Sequence, residues 1–214
     1  MPRGVFISFE GGEASGKTTQ IRLLQDRLRT AGRTVISVRE PGGTPLGEKI
    51  RHLLKHDLDG KGMSPETELL LMNASRAELV RKVIGPALDS GAVILCDRFS
   101  DSTLAYQGGG RRLDPVMVRS VVHAATGTLR PDLTLWLRLS PAEALRRLRE
   151  RKGEQGALDD RFDDERSDFF ERVERVYEQL AREEPRRFVA VSAEGLPETV
   201  ASRIWLQVEA VCSG

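Results

Sequence analysis

The chain has 214 residues, 39% of them hydrophobic, which suits one domain with a sizeable core. Its 33 basic and 32 acidic residues leave a net charge of +1, so no global field argues for nucleic acid or a membrane surface as partner. Apolar runs such as Gly-Ala-Val-Ile-Leu-Cys at 91–96 are far too short to span a bilayer, no signal-peptide pattern opens the chain, and Cys96 and Cys212 make no framework, so the chain reads as cytoplasmic and reduced, with Cys96 a small core residue.

In chain order, residues 4–10 (GVFISFE) read as a strand. Residues 17–31 carry Ile21, Leu24, Leu28 and Ala31 at helical spacing, with Gly32 placed to stop the helix. A second strand follows at 34–38 and a helix at about 46–57. A longer helical region is expected over 65–90, starting after Ser64-Pro65-Glu66. The third, fourth and fifth strands fall at 92–96, 133–139 and 187–192. Helices are expected near 114–126, 141–152, 162–183 and 197–211. Within 162–183, Phe169, Phe170, Val173, Val176, Tyr177 and Leu180 share one face. Residues 152–160 (KGEQGALDD) are polar and glycine-punctuated, which suits a mobile loop.

Strands alternating with helices predict parallel pairing with right-handed crossovers. Near-continuous apolar strands predict a sheet covered on both faces. The expected fold is therefore a three-layer α/β domain spanning 1–214.

Between the first strand and the first helix stands Gly11-Gly12-Glu13-Ala14-Ser15-Gly16-Lys17-Thr18, which matches G-x-x-x-x-G-K-[ST] in the strand–helix context that motif requires. Glycines let backbone N–H groups curl around phosphate oxygens, and the helix N-terminus adds unpaired donors. Lys17 is placed for the β- and γ-phosphates and Thr18 for Mg²⁺; Thr19 follows in the same turn. The motif predicts a bound nucleoside triphosphate. Residues 12–15 contain no arginine or lysine, so the charge spread on a migrating phosphoryl group needs cations from elsewhere. The basic run at 146–152 (RRLRERK) is one source, with Arg147 and Arg151 on one helical face. It leads into the polar loop, as a closing lid at about 147–162 requires. A solvated helix surface is the other reading of those arginines.

Three further patches stand out. Arg39 and Glu40 precede a sharp Pro41-Gly42-Gly43 turn at a strand's carboxyl end, where open α/β sheets bind ligands. Asp97 ends the third strand, where a carboxylate supports Mg²⁺, and Arg98 can fork onto a phosphate. Ser102, Thr103, Tyr106 and Gln107 follow, able to face the same cleft. A structural Asp97–Arg98 ion pair is the alternative. In LLLMNASRAELV (69–80), Arg76 either reads a base edge or lies on the surface.

On "FEGGEASGKTT", "REPGGT", "ASR" at 74–76, "DRFSDSTLAYQGGGR" and "RPDLTLWL", in that order, the chain resembles thymidylate kinases of the bacterial type over essentially its whole length. The resemblance implies transfer of a phosphoryl group from ATP to dTMP with Mg²⁺, a P-loop NTPase fold with sheet order 2-3-1-4-5, and a homodimer. It implies that Glu13 meets the 3′-hydroxyl of dTMP and that Arg39 and Arg98 lie near the acceptor phosphate. It implies that Arg76 faces the thymine edge, that Thr103 and Gln107 lie on base and sugar sides, and that Tyr106 crowds the 2′ position. Asp97 matches the carboxylate near Mg²⁺, and Arg147 and Arg151 fall at the lid side of ATP. Two positions depart from the pattern. Met72 stands where the family has a phenylalanine stacked on thymine. The segment KGEQGALDDRF is longer than the common short lid, so Arg151, Lys152, Arg161 or another neighbour could be the catalytic cation.

Kinases of other nucleotides, a nucleotide-gated switch and a DNA-directed ATPase share the phosphate loop. No Asn-Lys-x-Asp guanine reader occurs, which argues against the switch, and the near-zero net charge argues against the DNA enzyme.

Overall fold

The computed structural model describes residues 3–155 and 167–212, without the side chains of Pro141 and 151–155. Five parallel strands form one sheet in the order β2-β3-β1-β4-β5: β1 Phe6–Glu10, β2 Val35–Arg39, β3 Val93–Asp97, β4 Leu133–Arg138 and β5 Phe188–Ser192. This is the order the resemblance implies. The three central strands are almost wholly buried, whereas the edge strands β2 and β5 mix buried, half-buried and exposed residues. That burial is why the central strands read as continuous apolar runs.

Side chains alternate across β1. Ile7 and Phe9 join Leu24, Leu28, Leu95, Leu135, Ile204 and Val208 in the core under α1 (Lys17–Thr30) and α9 (Pro197–Cys212). Phe6 joins Ile94, Cys96, Leu79, Ile84, Leu88 and Phe99 on the opposite face. A third cluster gathers Tyr106, Trp136, Phe169, Val173, Tyr177, Leu180 and Phe188. Cys96 is fully buried, as expected of a core residue.

Helix α2 covers Pro45–Lys55 and α3 covers Pro65–Leu79, whose N-cap Ser64 accepts from the Thr67 N–H as the sequence predicts. The helical region expected over 65–90 is present from Pro65 to Asp89, with one change of hydrogen-bond pattern inside it. A π-helical turn at Val80–Ile84 separates α3 from α4 (Gly85–Asp89). Pro86 has no N–H to donate, and the Gly85 N–H bonds the Val80 carbonyl one residue farther back than in an α-helix. A second π-helical turn, Leu104–Gly110, follows α5 (Ser100–Thr103). Helix α6 spans Pro115–Thr126 and is capped by Asp114.

Helix α7 runs Pro141–Gln155, so residues 152–155 are helical where the sequence predicts a loop. Three of those four residues, Lys152, Glu154 and Gln155, are helix formers, which outweighs the single Gly153. The remainder of the expected lid loop, and Arg161 with it, lies outside the described residues. Helix α8 is described over Ser167–Glu183, with Phe169, Val173, Tyr177 and Leu180 buried. Among the described residues no helix is long and apolar enough to cross a membrane.

Candidate active site

The carboxyl ends of β1, β2 and β3 bring the sequence motifs together. After β1 the chain turns back through Gly11, whose φ is 135° and whose missing Cβ would lie 2.5 Å from the Leu137 carbonyl oxygen. A side chain there would strike backbone of β4. Ala14 and Gly16 are also left-handed, with φ 55° and 83°, and no side chain caps the start of α1. Its first N–H groups are thus left for an anion. The Ser15 hydroxyl donates to the Gly12 carbonyl at 2.8 Å, and the Lys17 ammonium donates to the Gly11 and Gly12 carbonyls at 3.2 and 3.1 Å. Burial pushes the Lys17 ammonium down to about 8. The neighbouring Arg98 cation adds to this, while Asp97, Glu10 and Glu13 oppose it.

A cavity of about 620 Å³ opens over this loop. Of the residues expected to hold ATP, its wall includes Glu13, Ala14, Ser15, Gly16, Lys17, Thr18, Thr19 and Arg147, and it also includes the metal candidate Asp97. Gly11 and Gly12 contribute their carbonyls to Lys17 instead of lining it. Arg147 pairs with Glu143 at 2.7 Å and donates to the Ala193 carbonyl at 3.0 Å. The side chain of Arg151 lies outside the described residues.

A second, narrower cavity of about 80 Å³ adjoins it. Glu13, Met72, Arg76, Arg98, Ser102, Thr103, Tyr106 and Gln107 all line it. Arg39 does not. It lines the phosphate-loop cavity and pairs with Glu48 at 2.8 Å, because it ends β2 on the side facing α2. Glu13, Glu40, Lys55 and Arg98 line both cavities.

Two alternatives weighed on sequence alone are overturned. Arg76 is not on the surface: it is 2% exposed, and every nitrogen of its guanidinium meets a protein acceptor. Nε donates to Glu40 Oε2 at 2.8 Å, Nη1 to Asn73 and Thr103 side-chain oxygens at 2.8 and 2.9 Å, and Nη2 to the Phe99 carbonyl at 3.1 Å. Burial pushes the Glu40 carboxyl up to about 7 against the pull of Arg76. Nor does Arg98 take Asp97 as its ion-pair partner; the carboxylate it faces is Glu10, 3.9 Å away. Its φ of 69° turns the side chain away from its strand neighbour and toward the end of β1.

Sequence reasoning missed several lining residues. Arg51 and Lys55 reach the cavities from α2, where they look like ordinary surface cations; their spacing of four, one helical turn on the face of the REPGGT turn, was the available signal. Phe170 reads as core at helical spacing yet lines the narrower cavity beside Met72. Gln107 donates to the buried Glu68 at 2.7 Å, and Arg111 pairs with the same carboxylate at 3.0 Å.

A family model described as Thymidylate kinase matches residues 9–204. A thymidylate kinase of Synechococcus sp. (strain JA-2-3B'a(2-13)) is 51% identical over 205 residues, covering 96% of this chain and 94% of its own length. That of Syntrophotalea carbinolica is 47% identical over 202 residues, covering 94% and 93%. The crystal structure of thymidylate kinase from Ehrlichia chaffeensis superposes with a TM-score of 0.77 at 29% identity, covering 97% of this chain and 99% of that one.

Proposed function

The chain belongs to the thymidylate kinase family, which phosphorylates dTMP to dTDP with ATP, and we propose how its two joined cavities perform that transfer. The observation that carries the reading is the shared wall. Glu13, Glu40, Lys55 and Arg98 border both the phosphate-loop cavity and the narrower one, so a donor and an acceptor phosphate can meet in one gap.

The triphosphate of ATP lies on residues 11–18, with Lys17 leaving the Gly11 and Gly12 carbonyls for the β- and γ-phosphates. Arg39, Arg51 and Lys55 add positive charge on the α2 side, and Arg147 and Arg151 on the lid side, at about 147–162. dTMP enters the narrower cavity, its phosphate toward Arg98 and its 3′-hydroxyl toward Glu13. Tyr106 crowds the 2′ position, Met72 and Phe170 flank the base, and Arg76, Ser102, Thr103 and Gln107 supply its polar surroundings.

An oxygen of the dTMP phosphate attacks the γ-phosphorus in line as the bond to the β–γ bridging oxygen breaks. Catalysis is positioning plus charge neutralisation, without a covalent enzyme intermediate. Thr18 and Asp97 offer a hydroxyl and a carboxylate in the phosphate cavity, hard oxygen donors of the type Mg²⁺ takes alongside phosphate oxygens and water. Bound there, Mg²⁺ would neutralise charge on the phosphates. We further read the protein as a cytoplasmic homodimer that acts on free nucleotides.

The test is ADP formation measured with and without each nucleoside monophosphate. Stimulation by dTMP above all others is expected; hydrolysis indifferent to every acceptor would overturn the reading. A kinase of another pyrimidine monophosphate is the second reading, favoured only by Met72, and the same assay separates it.

A further inference from the structure

Glu10, the last residue of β1, is a carboxylate with 0% exposure that neither the phosphate-loop motif nor the acceptor patches contain. An unpaired carboxylate in such a place would cost several kcal/mol, and this one is enclosed by donors. The Phe99 N–H donates to Oε1 at 2.9 Å. The Ser102 and Tyr177 hydroxyls donate to Oε2 at 2.5 and 2.8 Å, and Arg98 Nη1 lies 3.9 Å from that same oxygen.

These partners come from separate parts of the chain. Phe99 and Ser102 follow Arg98 in the chain, while Tyr177 belongs to α8, 167 residues from Glu10. Arg98 is in turn bracketed, its Nη1 donating to Ser102 at 3.2 Å and its guanidinium carbon 4.9 Å from the centre of the Tyr106 ring. Its left-handed backbone has no glycine to relax it, so the surroundings must hold it. Glu10 is the group that meets both the segment immediately after that strained residue and its guanidinium.

We propose that Glu10 is a positioning residue for phosphoryl transfer, with Tyr177 as its second anchor: it fixes the Arg98 guanidinium in the gap between the two cavities. The inference rests on the assignment of Arg98 to the acceptor phosphate. It places Glu10 outside contact with nucleotide and makes its effect depend wholly on Arg98. It also ties α8 to the acceptor site through one hydroxyl.

A double-mutant cycle tests this with kcat/KM for dTMP at saturating ATP. Glu10→Gln keeps the shape and removes the charge; a loss of about tenfold is expected from a misplaced guanidinium. In an Arg98→Ala background the same change should cost less than about twofold, because the two act as one unit. KM for ATP should stay within about twofold in the single variant. An equal loss in both backgrounds would overturn the proposal, since it would mean a general structural role. Where Glu10→Gln does not fold, Tyr177→Phe serves, because it keeps the ring between Trp136 and Phe188. A loss of roughly threefold that vanishes without Arg98 supports the proposal. A lowered melting temperature with unchanged kcat/KM contradicts it. If Arg98→Ala alone leaves dTMP kinetics untouched, the acceptor assignment itself is wrong, and the proposal falls with it.

Discussion

The Arg76 guanidinium and the Glu40 carboxylate lie 2.6 Å apart, with side chains only 3% and 5% exposed, at the wall of the narrower cavity. They come from α3 and the turn after β2, so the pair joins two elements that no local pattern connects. Arg76 meets a single oxygen of Glu40, while Glu40 Oε1 has no hydrogen-bond partner among the described residues. The cavity is thus lined by a preset charge pair whose acceptor capacity is not fully used.

Removing one partner of a buried pair leaves the other charge uncompensated. Glu40→Ala should therefore lower unfolding free energy by about 3–5 kcal/mol. It should also raise KM for dTMP more than KM for ATP. Denaturant unfolding and steady-state kinetics on the same preparation check both; unchanged stability would mean that the pair is not formed in solution.

Lys17 now donates to the Gly11 and Gly12 carbonyls and is the cation that the phosphate loop itself carries. Lys17→Ala should cut kcat by at least about a hundredfold, the scale for losing one preorganised charge at a transition state. Turnover near the original would contradict the loop assignment.

Gly11 and Gly12 make a matched comparison. A Cβ at Gly11 would sit 2.5 Å from the Leu137 carbonyl oxygen, whereas one at Gly12 would meet nothing within 4 Å. Gly11→Ala should destabilise the fold by about 1–3 kcal/mol through strain and backbone displacement. Gly12→Ala should leave the melting temperature close to that of the parent. Equal effects would mean that the loop packs differently against β4.

Met72 and Phe170 border the same cavity from α3 and α8. Met72→Phe should keep or tighten dTMP binding by offering a flat ring face. Phe170→Ala should raise KM for dTMP roughly threefold to tenfold, the worth of one aromatic contact. Titration of each variant with dTMP measures this, and a large loss in Met72→Phe would show that the cavity does not take a ring there.

Most of the fold was legible because its signals are local. The buried strands are continuous apolar runs, and the phosphate loop, REPGGT and DRFSDS segments all follow strand ends, which a parallel sheet gathers on one side. What escaped depends on tertiary approach. Glu10 looks like the polar end of a strand until β1, β3 and α8 converge on it. Phe170 shares its helical face with core residues, and only the cavity's edge distinguishes it from Phe169. Arg76 reads as a charged residue in an amphipathic helix; that it is buried depends on Glu40, thirty-six positions away. The π-helical turn after Leu79 was not legible, because apolar spacing marks a helix without fixing which carbonyl each N–H bonds.

The central claim is that donor and acceptor share one gap, bordered by Lys17 on one side and reached by Arg98 from both cavities. An adenosine and a thymidine joined by a polyphosphate bridge test it most directly, by competition binding against ATP and against dTMP. If the claim holds, one molecule of the compound displaces both nucleotides and binds more tightly than either. Displacement of only one, with the other still able to bind, would contradict it.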